Sequence, residues 1–105
     1  MNDETLLTII KGDTLEIEVE ILDFDPSLIN KVFFTCEDFG ICKEFTKVEN
    51  KYYLKITGEE TELFDVTRTF YDVTMQYNLT DMLTLIYKGS FIVLDKINEV
   101  SCIWV

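Results

Sequence analysis

The feature that most constrains this chain is strict two-residue alternation. From Leu15 to Ile21, the apolar residues Leu15, Ile17, Val19 and Ile21 take every second position, and Glu16, Glu18 and Glu20 fill the gaps. In a β-strand, successive side chains point to opposite faces, so this segment is predicted as a strand with one buried and one wet face. An amphipathic helix would need a period near 3.6, which the segment lacks.

The same short period recurs along the chain. Strands are predicted at Leu6–Ile10, Leu15–Ile21, Val32–Cys36, Ile41–Phe45, Tyr52–Ile56, Phe70–Tyr77, Leu83–Tyr87 and Phe91–Leu94. Turn chemistry separates them at Lys11-Gly12-Asp13, Asp23 to Ser27 around Pro26, Asp38-Phe39-Gly40, Glu49-Asn50-Lys51 and Lys88-Gly89-Ser90. The last of these predicts a hairpin joining Leu83–Tyr87 to Phe91–Leu94. Thr57 followed by Glu60 reads as a capping box opening one short helical turn. Phe70–Tyr77 places Tyr71, Val73, Met75 and Tyr77 on one face. The expected fold is an all-β, antiparallel β-sandwich of seven or eight short strands with one helical turn, as a single domain over residues 1–105.

Composition narrows the function classes. The chain carries 20 acidic residues against 9 basic ones and has no histidine. A net charge of −11 removes the usual basis for binding nucleic acid or an anionic membrane. Without histidine, the commonest general base and metal ligand are missing, and the serines lie in no nucleophile motif. Asp23 and Asp25 lack the offsets of a calcium loop, and glutamates on a flat strand do not converge on the roughly six to eight oxygens calcium requires. No enzyme activity, cofactor, metal or small-molecule ligand is expected.

The three cysteines, Cys36, Cys42 and Cys102, form no CxxC pair and read as reduced thiols of a chain made in a bacterial host cytoplasm. A Cys36–Cys42 bridge is open if their strands pair, although the N-terminus has no secretion signal to favour it. Asn78-Leu79-Thr80 fits a glycosylation sequon, without meaning for a chain that is not secreted. No segment approaches the about 20 apolar residues of a membrane-spanning helix.

Charge is concentrated at the start, where residues 1–25 hold eight acids against Lys11 alone. The row Glu16, Glu18, Glu20 is therefore a candidate protein-contact stripe, and the apolar tail with Cys102, Ile103, Trp104 and Val105 a second. Two other functions share these features: mimicry of DNA by an acidic inhibitor of a host defence enzyme, as in anti-CRISPR proteins, and carbohydrate binding through Trp104 and the tyrosines.

The order of short phrases carries a resemblance. Ile9-Ile10-Lys11-Gly12-Asp13-Thr14, the acidic turn Leu22-Asp23-Phe24-Asp25, Thr57 to Phe64, Tyr71-Asp72-Val73-Thr74-Met75 and Thr84 to Val93 follow one another as in phage tail and baseplate modules. Across Ile9 to Leu94 the chain resembles the N-terminal domain of phage baseplate upper proteins. That resemblance implies an Ig-like sandwich that assembles with other subunits, as a homo-oligomer or with phage particle proteins, and is carried in the virion. Gly12, Asp13, Thr14, Tyr71, Asp72 and Gly89 are then fold-specifying. Gly12 would take a left-handed turn and Asp13 or Thr14 would tie the loop. Tyr71 would act like a tyrosine corner, through its hydroxyl.

Overall fold

The computed structural model describes residues 6–95. Eight strands are present: β1 Leu7–Ile10, β2 Leu15–Glu20, β3 Ile29–Cys36, β4 Ile41–Glu44, β5 Thr46–Val48, β6 Lys51–Ile56, β7 Thr67–Tyr77 and β8 Asp81–Leu94. They form a five-stranded sheet in the order β1-β8-β7-β3-β4 and a three-stranded sheet β2-β6-β5. This is an Ig-like all-β sandwich. Alternation builds it as expected, since Val32, Phe34 and Cys36 of β3 and Tyr71, Val73 and Met75 of β7 are all buried against the facing sheet.

One pairing departs from the antiparallel expectation. β1 runs parallel to β8, with Leu7 opposite Phe91 and Ile9 opposite Val93. The reason lies in Lys11–Thr14, which carries the chain from one sheet to the other instead of folding β1 back on β2. Gly12 takes φ 92° there, the left-handed region expected of it. A side chain from elsewhere in the sequence ties this loop. The fully buried Thr61 hydroxyl accepts from the Gly12 N–H at 3.0 Å and lies 2.7 Å from the Asp13 carbonyl, to which it donates. Thr14 is exposed.

Thr61 is delivered by the predicted capping box. The Glu60 N–H donates to the Thr57 hydroxyl at 3.3 Å, and the Thr57 N–H donates to the Glu60 carboxylate at 2.9 Å. Together they open the single turn α1, Gly58–Thr61. Beyond it, Phe64 stacks on Phe39 with ring centroids 4.4 Å apart. The α1 end of the sandwich is therefore pinned by both hydrogen bonds and aromatic packing.

The expected hairpin at Lys88-Gly89-Ser90 does not form. β8 runs unbroken through it for 14 residues, and the chain reverses earlier, at Asn78-Leu79-Thr80. What Lys88 supplies is a bulge. The register passes from Tyr71 opposite Gly89 to Val73 opposite Ile86, and Lys88 takes φ 56°. Its N–H, lost to the ladder, donates to the Asp72 carboxylate at 2.8 Å, which gives Asp72 its structural role. Gly89 is required for a different reason from a turn. The buried Tyr71 ring lies across it, stacked on Phe34 at 5.2 Å, and a Cβ on Gly89 would sit 2.6 Å from two ring carbons.

The predicted strand Ile41–Phe45 is also divided. β4 stops at Glu44, the Phe45 N–H donates to the Val32 carbonyl at 2.8 Å, and the chain continues as β5 in the other sheet. Burial of the Phe45 ring drives that crossing, because its side chain fills space between the sheets. β3 and β4 do pair, yet Cys36 faces Ile41 and Cys42 faces Thr35. Neighbouring positions point to opposite faces, so the two thiols are on opposite sides of the sheet and remain free.

Candidate protein-contact site

The carboxylate stripe lies where the alternation puts it, on the outer face of the three-stranded sheet. Its neighbours change its character. Glu16 is opposite Lys55, Glu18 opposite Tyr53 and Glu20 opposite Lys51, and Lys51 forms an ion pair with Glu18 at 3.1 Å. That pairing holds the Lys51 ammonium above its ordinary range. The face is a ladder of alternating charge rather than a field of one sign. The sequence reading missed this because β6 lies 36 residues beyond β2, and register is not visible in either segment alone. The tail candidates Cys102, Ile103, Trp104 and Val105 lie outside the described residues.

A second surface, not anticipated, is built at one end of the sandwich. Three connections meet there: residues 21–28 between β2 and β3, Glu49-Asn50 between β5 and β6, and Asn78-Leu79-Thr80 between β7 and β8. Hydrogen bonds tie the last of these to the first and to the start of β3. The Asn78 N–H donates to the Leu28 carbonyl at 3.1 Å, and the Leu79 N–H donates to the Asn30 side chain at 2.6 Å. The Gln76 amide donates to the Leu79 carbonyl at 3.0 Å. Pro26 starts a tight turn, Pro26–Leu28, capped by Asp25, whose carboxylate accepts from the Ser27 N–H at 3.0 Å and the Ser27 hydroxyl at 2.8 Å. Those two bonds hold the Asp25 carboxyl below the usual carboxylate range.

Backbone strain collects at this end. Of five non-glycine residues with positive φ among the described residues, four are here: Asp23, Glu49, Asn78 and Leu79. Asparagine and aspartate tolerate that region, but a leucine at φ 67° does so only when its surroundings hold it. The three hydrogen bonds to Asn78 and Leu79 do that holding. What they present is apolar: Leu79 is 74% exposed and Leu22 71%, with Leu28, Met82 and Leu83 also exposed nearby. Such an arrangement spends stability to show hydrophobic side chains to solvent, and strained backbone of this kind concentrates at contact and functional sites.

Between residues 20–29 and 47–52 is a cleft of about 230 Å³. Residues of both segments line it, among them Leu22, Asp23, Asn50 and Tyr52. Tyr52 is 4% exposed, and its hydroxyl is the buried side-chain polar atom left without a hydrogen-bond partner among the described residues. Burial pushes its pKa up, so the phenol stays protonated. Sequence could point to this end only through its turn residues. The left-handed Leu79 runs against leucine's own preference, and an orphaned hydroxyl leaves no mark in a sequence.

Among the described residues, no group of three His, Cys, Asp or Glu side chains is placed to hold a metal ion, and no helix is long and apolar enough to cross a membrane. No protein-family model and no curated protein matches the chain. Among solved structures, the chain is similar to the extracellular domain of mouse leukocyte-associated immunoglobulin-like receptor 1, crystallised as a strand-swapped dimer. The match has 14% identity and a TM-score of 0.57, over 90% of this chain and 92% of that one. A glycoside hydrolase candidate from Bacteroides vulgatus also matches, at 15% identity and a TM-score of 0.48, over 88% of this chain. This chain spans only 17% of that protein's length. The receptor similarity shows the fold, an Ig-like β-sandwich.

Proposed function

We propose that this chain is a non-enzymatic protein-contact module, an assembly component of a phage or prophage particle, and that it engages its partner through the loop end of the sandwich. One observation carries the contact role: the left-handed, hydrogen-bonded turn that exposes Leu79 at the same end of the sandwich as the exposed Leu22 and Met82. A solitary exposed leucine would mean little, whereas one held out by strained backbone among others marks an interface. The virion assignment rests on the ordered phrases from Ile9 to Leu94, whose implied fold this chain has. The lysines interleaved with Glu16, Glu18 and Glu20 favour this role over DNA mimicry, which needs a phosphate-like row of uncompensated charge.

The test is to purify particles from an induced culture of the strain that encodes the chain and to quantify it by mass spectrometry. The wild-type chain is expected in fixed ratio to known particle proteins. Leu79→Gly suits the φ of its site, so relief of about 1–2 kcal/mol offsets glycine's entropy cost of about 0.5–1 kcal/mol and stability is unchanged or slightly raised. With Met82→Ser added, the folded chain should be depleted from particles about tenfold or more. Absence of the wild-type chain from particles, or full incorporation of the double variant, would overturn the reading.

A further inference from the structure

Toward the α1 end, the outer face of the five-stranded sheet carries an apolar patch. In the register of that sheet, Ile10 of β1 lies beside Leu94 of β8, Arg68 of β7 beside Ile92, and Phe70 beside Ser90. The residues next to them in sequence, Ile9, Val93, Phe91 and Thr69, are buried between the sheets, so this set faces outward. Ile10, Leu94 and Phe70 are exposed and Ile92 is half-buried. Arg68 stands among them. It donates to the Ser90 hydroxyl at 3.4 Å, and neither ion pair among the described residues includes it. Apolar side chains grouped on a solvent face, with a cation lacking a carboxylate, mark a surface that something covers.

We propose that residues 96–105 of the same chain cover this patch, with the Trp104 indole on Phe70 and the Glu99 carboxylate on the Arg68 guanidinium. The segment leaves the fold at the patch itself, since only Asp95 separates it from Leu94. Ten residues span up to about 33–36 Å, whereas Phe70 lies beside Ser90, about 14 Å back along β8 from Leu94. Even after a turn, the reach is ample. Chemistry fits as well. Ile97, Val100, Ile103, Trp104 and Val105 are apolar, and Glu99 is the one acid of the segment, available to the one cation of the patch. A guanidinium and a carboxylate can pair through two parallel hydrogen bonds, which fixes how the segment lies. Tethering favours this occupant over a second copy, because a short linker holds the segment at an effective concentration of roughly millimolar. The inference does not depend on the loop-end contact, which lies at the other end of the sandwich.

Trp104 is the only tryptophan of the chain, so its fluorescence reads the proposal directly in the chain 1–105. The native emission is expected to be blue-shifted from that in urea, with several-fold weaker quenching by acrylamide, and both should be unchanged on dilution. Phe70→Thr with Leu94→Thr replaces exposed side chains by a strand-forming residue, so circular dichroism should show the fold retained. In that variant the emission should move to the red and quenching should rise toward its value in urea. Arg68→Gln and Glu99→Gln should each raise quenching partway, and the two together no further than either alone. Native emission equal to that in urea, or emission and quenching unmoved in the threonine variant, would overturn the proposal. So would full additivity of Arg68→Gln and Glu99→Gln. Protection that fades on dilution would also overturn it, giving the patch to a second copy.

Discussion

Gly89→Ala separates two accounts of why a glycine stands in the Lys88-Gly89-Ser90 segment. Gly89 lies outside the left-handed region, so its backbone alone would accept alanine, and such a replacement normally stabilises by about 0.4–1 kcal/mol. The Tyr71 ring reverses that sign. An added Cβ would lie 2.6 Å from two Tyr71 ring carbons and 2.9 Å from its oxygen, well inside ordinary contact. The ring cannot move aside, because Phe34 is stacked on it and Phe91 meets it edge-on at 6.3 Å, and both phenylalanines are fully buried. Overpacking a core in this way costs about 1–3 kcal/mol. For a domain of this size each kcal/mol moves the melting temperature by about 4–8 °C, so Gly89→Ala should lower it by roughly 5–20 °C. The assay is thermal unfolding followed by circular dichroism, repeated in a Tyr71→Leu background. There the obstructing ring atoms are gone, and Gly89→Ala should cost little, leaving a coupling of about 1–3 kcal/mol between the positions. An unchanged or raised melting temperature for Gly89→Ala, or an equal loss in both backgrounds, would refute the reasoning.

Thr61→Val keeps the shape of a fully buried side chain but strands the Gly12 N–H and the Asp13 carbonyl, and should cost about 1–3 kcal/mol in urea unfolding, with faster hydrogen exchange at Gly12. Thr61→Ser, which retains the hydroxyl, should lose less. The Lys43 ammonium lies 2.6 Å from Glu60 and, with the Thr57 N–H, holds its carboxyl below the usual 4.5. Both partners are about a third exposed, so the pair is worth only about 0.2–1 kcal/mol. Because the folded-state pKa is the lowered one, this contribution is present above pH 4.5 and is lost as the pH falls through the folded value. The stability difference between wild type and Lys43→Gln, measured by urea midpoints, should therefore shrink between pH 7 and pH 3.

Local patterns in the chain were legible where one segment decides the outcome. Alternation in Leu15–Ile21 and Phe70–Tyr77 gives the strands and their buried faces, and Thr57 with Glu60 gives the capping box, because both ends of each pattern lie within a few residues. Errors arose where distant segments decide. Lys88-Gly89-Ser90 has the composition of a turn, yet Tyr71 and Asp72, on the neighbouring strand, convert it to a bulge under a ring. Glu16, Glu18 and Glu20 look like a uniform acidic surface until β6 sets lysines beside them. Cys36 and Cys42 are near in sequence, but a one-residue offset in register separates them across the sheet.

The two ends of the sandwich have different physical tasks. At the α1 end, buried Thr61, the capping box and the Phe39–Phe64 stack satisfy polar groups and bury rings, and the loops place positive φ on glycines, Gly12 and Gly40. At the other end, bulky and charged residues take that strained geometry, leucines face solvent, and the Tyr52 hydroxyl stays unpaired. Both ends derive from the same two sheets, so stability gained at the first can hold the second in a costly conformation. A chain under selection for stability alone would place glycine at position 79 and a partner beside Tyr52. The structure retains leucine at position 79, at a cost, and its exposed side chain sits where a partner would cover it on binding.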